Sequence, residues 1–107
     1  MNPKADHAAE LVVTAMAILG DKWLVFIVHQ LLHGPKRHGE LRRAVPGITQ
    51  RMLTRTLQKM ETHGLLTRTV LKEKPLTVQY ELTQRGHTLR APLSAMAEWA
   101  ALTSCDL

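Results

Sequence analysis

Thr49-Gln50-Arg51-Met52-Leu53-Thr54-Arg55-Thr56-Leu57-Gln58-Lys59-Met60-Glu61-Thr62-His63-Gly64 reads as one amphipathic helix with both ends marked. Thr49 suits an N-cap, its hydroxyl accepting an otherwise orphan backbone N–H, and Gly64 suits the left-handed residue that stops a helix. Leu53, Leu57 and Met60 recur at helical spacing as one apolar stripe, with Met52 and Thr56 on its flank. At about 100° per residue, Arg51, Thr54, Arg55, Gln58 and Thr62 fall on the opposite side. That outer face carries Arg, Gln and Thr but no carboxylate. Most amphipathic helices are simply solvated on the outside; the surroundings set this one apart.

The strongest of those surroundings is charge. The chain of 107 residues has a formal net charge of +5, and that charge is concentrated. Between positions 36 and 59 stand seven basic side chains (Lys36, Arg37, Arg42, Arg43, Arg51, Arg55 and Lys59) against the single carboxylate Glu40, a local balance of +6. The other 7 basic and 8 acidic residues leave −1 for everything else. A basic segment in an otherwise balanced chain is the electrostatic footprint of phosphate binding.

The length allows one core and is read as a single domain over 1–107. With 45% apolar and 21% charged residues the chain is globular, and its scarce aromatics leave the core to Leu, Val, Ile, Met and Ala. The apolar runs near 11–19 and 24–28 are too short to span a bilayer, and the N-terminus lacks a signal-peptide pattern, so a cytoplasmic protein with no membrane partner is expected.

Outward from the pivotal helix, a period change marks each element. Residues 8–19 form an apolar helix closed by Gly20; its apolar coverage is nearly complete, which implies burial in its own core or against a partner. Asp21 caps a second helix, Lys22 to about Leu32, ended by Gly34-Pro35. A short helix from Gly39 to about Val45 turns Leu41, Ala44 and Val45 inward, and Pro46-Gly47 leads into the basic helix, so 39–63 is a helix-turn-helix. Over 65–83 the period falls to two, giving a β-hairpin around a charged turn at Lys72–Pro75. Thr83 caps a last helix, Gln84 to about Thr103, in which Pro92 kinks or delays the helix. The predicted fold is α+β and mainly helical: a winged helix-turn-helix domain with a two-stranded β-hairpin wing and N- and C-terminal dimerisation helices.

Several strings also resemble a known family. Leu19-Gly20-Asp21-Lys22-Trp23, Leu31-Leu32-His33-Gly34-Pro35-Lys36-Arg37 and Glu40-Leu41-Arg42-Arg43 are similar to the HxlR-type winged-helix transcriptional regulators. So are Pro46 to Thr54, Gly64-Leu65-Leu66 and Val78 to Gly86, in order and spacing. The resemblance runs from about residue 10 to Trp99 and implies homodimeric bacterial repressors or activators that dimerise through their first and last helices. Three positions depart from the pattern. Glu10 stands where thiol-sensing members carry a cysteine, His38 where an aromatic ring is usual, and the wing lacks an arginine near Thr77.

The expected DNA contacts are Thr49, Gln50, Arg51, Thr54, Arg55 and Gln58 on the recognition helix. Arg pairs with guanine O6 and N7, and Gln with adenine N6 and N7. Arg42, Arg43 and Lys59 flank that helix for phosphate contacts, joined by Lys72 and Lys74 of the wing. Leu11, Val12, Met16, Leu89, Leu93, Met96 and Trp99 exceed what one small core covers and are expected in a homodimer interface on a pseudo-palindromic operator. His29 and His33, four apart, could share a metal, but no third ligand has a completing spacing, so no metal or cofactor is expected. No nucleophilic triad or carboxylate pair supports an enzyme. Cys105 reads as a free tail thiol. Room is left between the dimer helices and the winged core for an unidentified small-molecule effector. The rival reading, a winged-helix module for protein–protein assembly, does not account for the +6 segment.

Overall fold

Leu53, Leu57 and Met60 are buried at the centre of the protein, and the other elements are arranged about them. The structure, a computed structural model, describes residues 3–103 and the side chains of 6–102; the expectation for Cys105 lies outside the described residues. In chain order the elements are α1 (Pro3–Leu19), α2 (Lys22–Leu31), β1 (Lys36–Arg37), α3 (His38–Ala44), α4 (Gln50–Thr62), β2 (Leu66–Glu73), β3 (Leu76–Leu82), α5 (Gln84–His87) and α6 (Arg90–Thr103). Among the described residues no single helix is long and apolar enough to cross a membrane.

Both ends of α4 close as their residues dictate. The Thr49 hydroxyl accepts from Met52 N–H at 3.1 Å. At the other end Gly64 takes φ +71°. Its N–H donates to Glu61 C=O at 3.0 Å while Leu65 N–H donates to Met60 C=O at 2.9 Å, the paired bonds of a Schellman motif. Thr56 is buried on the flank, its hydroxyl satisfied by Met52 C=O at 2.8 Å. Leu24, Ile27, Val28 and Leu31 of α2 and Leu41 and Val45 around α3 complete the helical part of the core. Asp21 caps α2 as expected, Oδ1 accepting from Trp23 N–H at 2.9 Å.

The sheet extends the expected hairpin. β2 and β3 are antiparallel, with Leu66 opposite Leu82 and Arg68 opposite Tyr80, and β1 adds a third strand on the far side of β3. Two residues are too few to show a period, so β1 had no sequence signal; it forms because the extended chain leaving Pro35 meets the free edge of β3. The turn is tighter than the expected Lys72–Pro75, since the ladder continues to Glu73 opposite Leu76. Leu71 is an extra residue without a cross-strand partner, which shifts the register between Val70 and Lys72. Beyond Leu66 every β2 residue is exposed.

Three other expectations are corrected. Residues 84–103 form not one helix but two, α5 and α6, with a break at Thr88-Leu89. Pro92 lacks the N–H that would bond Thr88 C=O, and its ring crowds that carbonyl, so helix restarts at Arg90 with Pro92 in its first turn. The first helix begins at Pro3, earlier than Ala8. Ala44, expected inward, is exposed; the helix ends there, and Val45 alone carries the stripe into the core.

The start of α5 is sewn to the end of α4. Thr83 Oγ1 donates to Gly64 C=O at 2.6 Å and accepts from Gly86 N–H at 3.1 Å, and Arg85 Nε donates to His63 C=O at 3.0 Å. Gly86 packs so closely that a Cβ there would lie 2.1 Å from the Leu65 carbonyl oxygen. Gly86→Ala should therefore destabilise the fold by on the order of 1–3 kcal/mol through overpacking, read as a lower urea midpoint at unchanged slope. Thr49→Ala should cost about 1 kcal/mol through loss of the cap, by the same measurement.

Candidate nucleic-acid interface

The outer face of α4 is built by exclusion. Once Leu53, Leu57 and Met60 are committed to the core, helical geometry turns Arg51, Thr54, Arg55 and Gln58 outward, and all four are exposed and line one shallow concavity. Gln50 is exposed in the first turn, and Thr49 remains at the cap. Arg42 and Arg43 occupy the last turn of α3, exposed on the helix preceding the turn. Arg37 N–H donates to Glu40 Oε1 at 2.8 Å, so the one carboxylate of the basic segment is engaged in capping α3.

Lys59 stands apart from the other basic residues. It is half-buried, and its Nζ lies 3.7 Å from Asp21 Oδ2, the free oxygen of the α2 cap. This ion pair ties α4 to α2, and it is the only one among the described residues. Lys72 and Lys74 are exposed at the wing tip, among the apolar side chains Val70, Leu71 and Leu76, which are also exposed.

Between α4 and the wing runs a cleft of about 500 Å³. Gln50, Thr54, Gln58 and Glu61 form one wall, and Arg68 and Leu76 the other, over Tyr80; the outer side of α4, expected to carry no carboxylate, thus has one at its wing edge, because Glu61 falls next to Thr54 around the helix. Arg68 was not singled out from sequence. Its signal was register: in period two, Leu66, Arg68 and Val70 share the face that Leu66 buries, which directs Arg68 toward α4. His38 closes one end, its ring centroid 6.3 Å from that of Tyr80. Burial, and secondarily the Arg42 guanidinium, hold the His38 imidazole below its ordinary pKa. It therefore adds an uncharged ring, not a cation, to this end of the cleft at neutral pH.

The residues expected at a dimer interface divide into two groups. Leu11, Val12, Met16, Met96 and Trp99 are exposed, Trp99 at 68%. Leu89 and Leu93 are half-buried against the core of their own chain. His29 and His33 meet edge to face with centroids 5.3 Å apart, and the His33 ring bonds the His29 carbonyl through Nδ1 at 3.0 Å. Among the described residues no group of three or more His, Cys, Asp or Glu is placed to hold a metal.

Comparison with known proteins agrees with this geometry. The family model for the HxlR-like helix-turn-helix matches residues 18–105. The uncharacterized HTH-type transcriptional regulator YtcD of Bacillus subtilis (strain 168) is 39% identical over 90 residues, covering 84% of this chain and 71% of YtcD. The reduced form of the transcriptional regulator YodB from B. subtilis superposes with a TM-score of 0.74 at 37% identity, over 94% of this chain and 91% of YodB. Quinone-bound YodB gives 0.76 at 32% identity, over 87% and 98%. By the extent of these matches, the chain belongs to the HxlR-like helix-turn-helix family.

Proposed function

We propose that the protein is a sequence-specific, double-stranded DNA-binding transcriptional regulator that acts as a homodimer on a two-fold symmetric operator. The observation that carries this reading is the exposed face of α4, where Arg51, Thr54, Arg55 and Gln58 share one concavity on a helix fixed at both ends, with Glu61 off to its wing side. In a helix-turn-helix the second helix enters the major groove and the first crosses the backbone. Arg51, Arg55, Gln50, Thr54 and Gln58 then read base edges, while Arg42, Arg43, Lys72 and Lys74 meet phosphates. Lys59, held by Asp21, contributes field more than contact.

Pairing rests on the unburied apolar surface. Leu11, Val12, Val13 and Met16 on α1 and Met96, Trp99 and Leu102 on α6 are all exposed in one chain, and large exposed apolar areas mark interfaces. Joining two copies there presents two recognition helices to half-sites about 34 Å apart. A small-molecule effector is part of the reading, by analogy with quinone-bound YodB. Its expected place is between the dimer helices and the winged core, and with Glu10 in place of a thiol no covalent thiol adduct can form at that position of α1.

DNA selected from a random pool and returned in a salt series tests the division of roles. Arg55→Ala should lose on the order of 1–3 kcal/mol for the selected duplex and relax preference at one position per half-site. Arg43→Ala should weaken selected and scrambled duplexes alike and reduce the slope of log affinity against log salt by about one unit. The opposite partition would mean that α4 is docked wrongly, and no salt-dependent shift with any duplex would favour the assembly-module reading. For pairing, light scattering at micromolar concentration should give twice the 12.0 kDa chain mass. Trp99→Glu should move that mass toward the monomer, and a monomeric parent protein would remove the basis for a two-fold operator.

A further inference from the structure

A groove of about 430 Å³ separates α2 from α6, on the opposite side of α6 from its exposed apolar face. At about 100° per residue, Arg90, Leu93, Ser94 and Ala97 share the side turned to α2. Met96, Trp99 and Leu102 fall on the other. A partner seated on Trp99 therefore leaves the groove open. Its walls are apolar and partly planar: Phe26 is 52% exposed there, Leu32 and Leu93 form the base, and the edge-to-face pair of His29 and His33 flanks it.

The charge in this groove is one-sided. Among the described residues no Asp or Glu lines it. Arg90 has no carboxylate partner among the described residues, and its recorded hydrogen bond is one long contact from Nη2 to Leu32 C=O at 3.4 Å. That leaves most of the guanidinium donors directed to solvent at the rim. A concave apolar site with few convergent polar groups is the usual form of a small-molecule pocket, and a lone guanidinium is suited to a planar anionic group.

We propose that this groove binds an aromatic organic anion, its ring system against Phe26 and the imidazole pair and its carboxylate or sulfonate on Arg90. Because α6 restarts at Arg90 after the Thr88-Leu89 break, a ligand wedged between α2 and α6 sets the angle at which α6 leaves the core. In the dimer of the preceding section that angle sets the separation of the two recognition helices; this consequence rests on the dimer reading, and the binding site itself does not.

The probe is 8-anilinonaphthalene-1-sulfonate, titrated calorimetrically into the full chain beside the neutral N-phenyl-1-naphthylamine, which keeps the rings and lacks the anion. The expected result is one sulfonate per chain, bound about tenfold more tightly than the neutral compound. Arg90→Glu should abolish that preference, Ala97→Phe should fill the groove and abolish binding of both, and Val70→Thr, which trims exposed apolar surface on the wing, should leave both unchanged. Ala97 and Arg90 are exposed, and circular dichroism checks each variant; if Ala97→Phe fails to fold, Arg90→Glu decides alone. No saturable binding, equal affinity for the two compounds, or loss in Val70→Thr but not in Arg90→Glu would overturn the proposal. A duplex shift run on the same preparation separates the two readings. Protein that shifts DNA without binding the sulfonate overturns only the groove, and the reverse result overturns only the DNA reading.

Discussion

The carbonyl of Leu65 is the point on which the geometry of the protein depends. It accepts from Thr83 N–H at 3.0 Å and lies against the bare Cα of Gly86, while Leu65 N–H closes α4 through Met60 C=O. The end of α4, the root of the wing and the start of α5 are thereby joined within one backbone turn. A side chain at position 86 would force them apart, and a residue other than glycine at 64 would strain the left-handed turn that brings Leu65 into place. The core stripe fixes which way α4 faces; this junction fixes where it ends relative to the wing.

Electrostatics then act on a scaffold already decided by packing. The single ion pair among the described residues, Lys59 with Asp21, is about one-third exposed on each side, and pairs of that kind contribute little to stability. Its interest is that it withdraws one cation from the basic segment, while Arg42, Arg43, Arg51 and Arg55 have no carboxylate partner among the described residues. Such unpaired cations carry a long-range field that is strongest at low salt.

The sequence made α4 fully legible because every signal agreed: cap, stripe, outer face and terminal glycine pointed to one helix with one orientation. The HxlR-like assignment was legible for the same reason, as ordered strings over most of the chain. What escaped was set by partners remote in sequence. β1 exists because β3 offers an edge. Arg68 faces the cleft because Leu66 pairs with Leu82. The Lys59 ion pair needed Asp21, 38 positions away, to be brought alongside. The break before α6 was half legible, since Pro92 announced a disturbance without saying that the helix would restart.

The strand order β1-β3-β2 leaves the outer edge of β2 unpaired along eight residues. An edge of that length is a template for accretion of another chain. Here it is spoiled in two ways. An antiparallel edge-to-edge pairing centred on Val70 would set Arg68 of one copy against Lys72 of the other, like charge on like charge, and the extra residue Leu71 puts any straight partner strand out of step halfway along. The irregularity in the wing thus makes this sheet edge a poor template for accretion of further chains, however much apolar surface the protein exposes elsewhere.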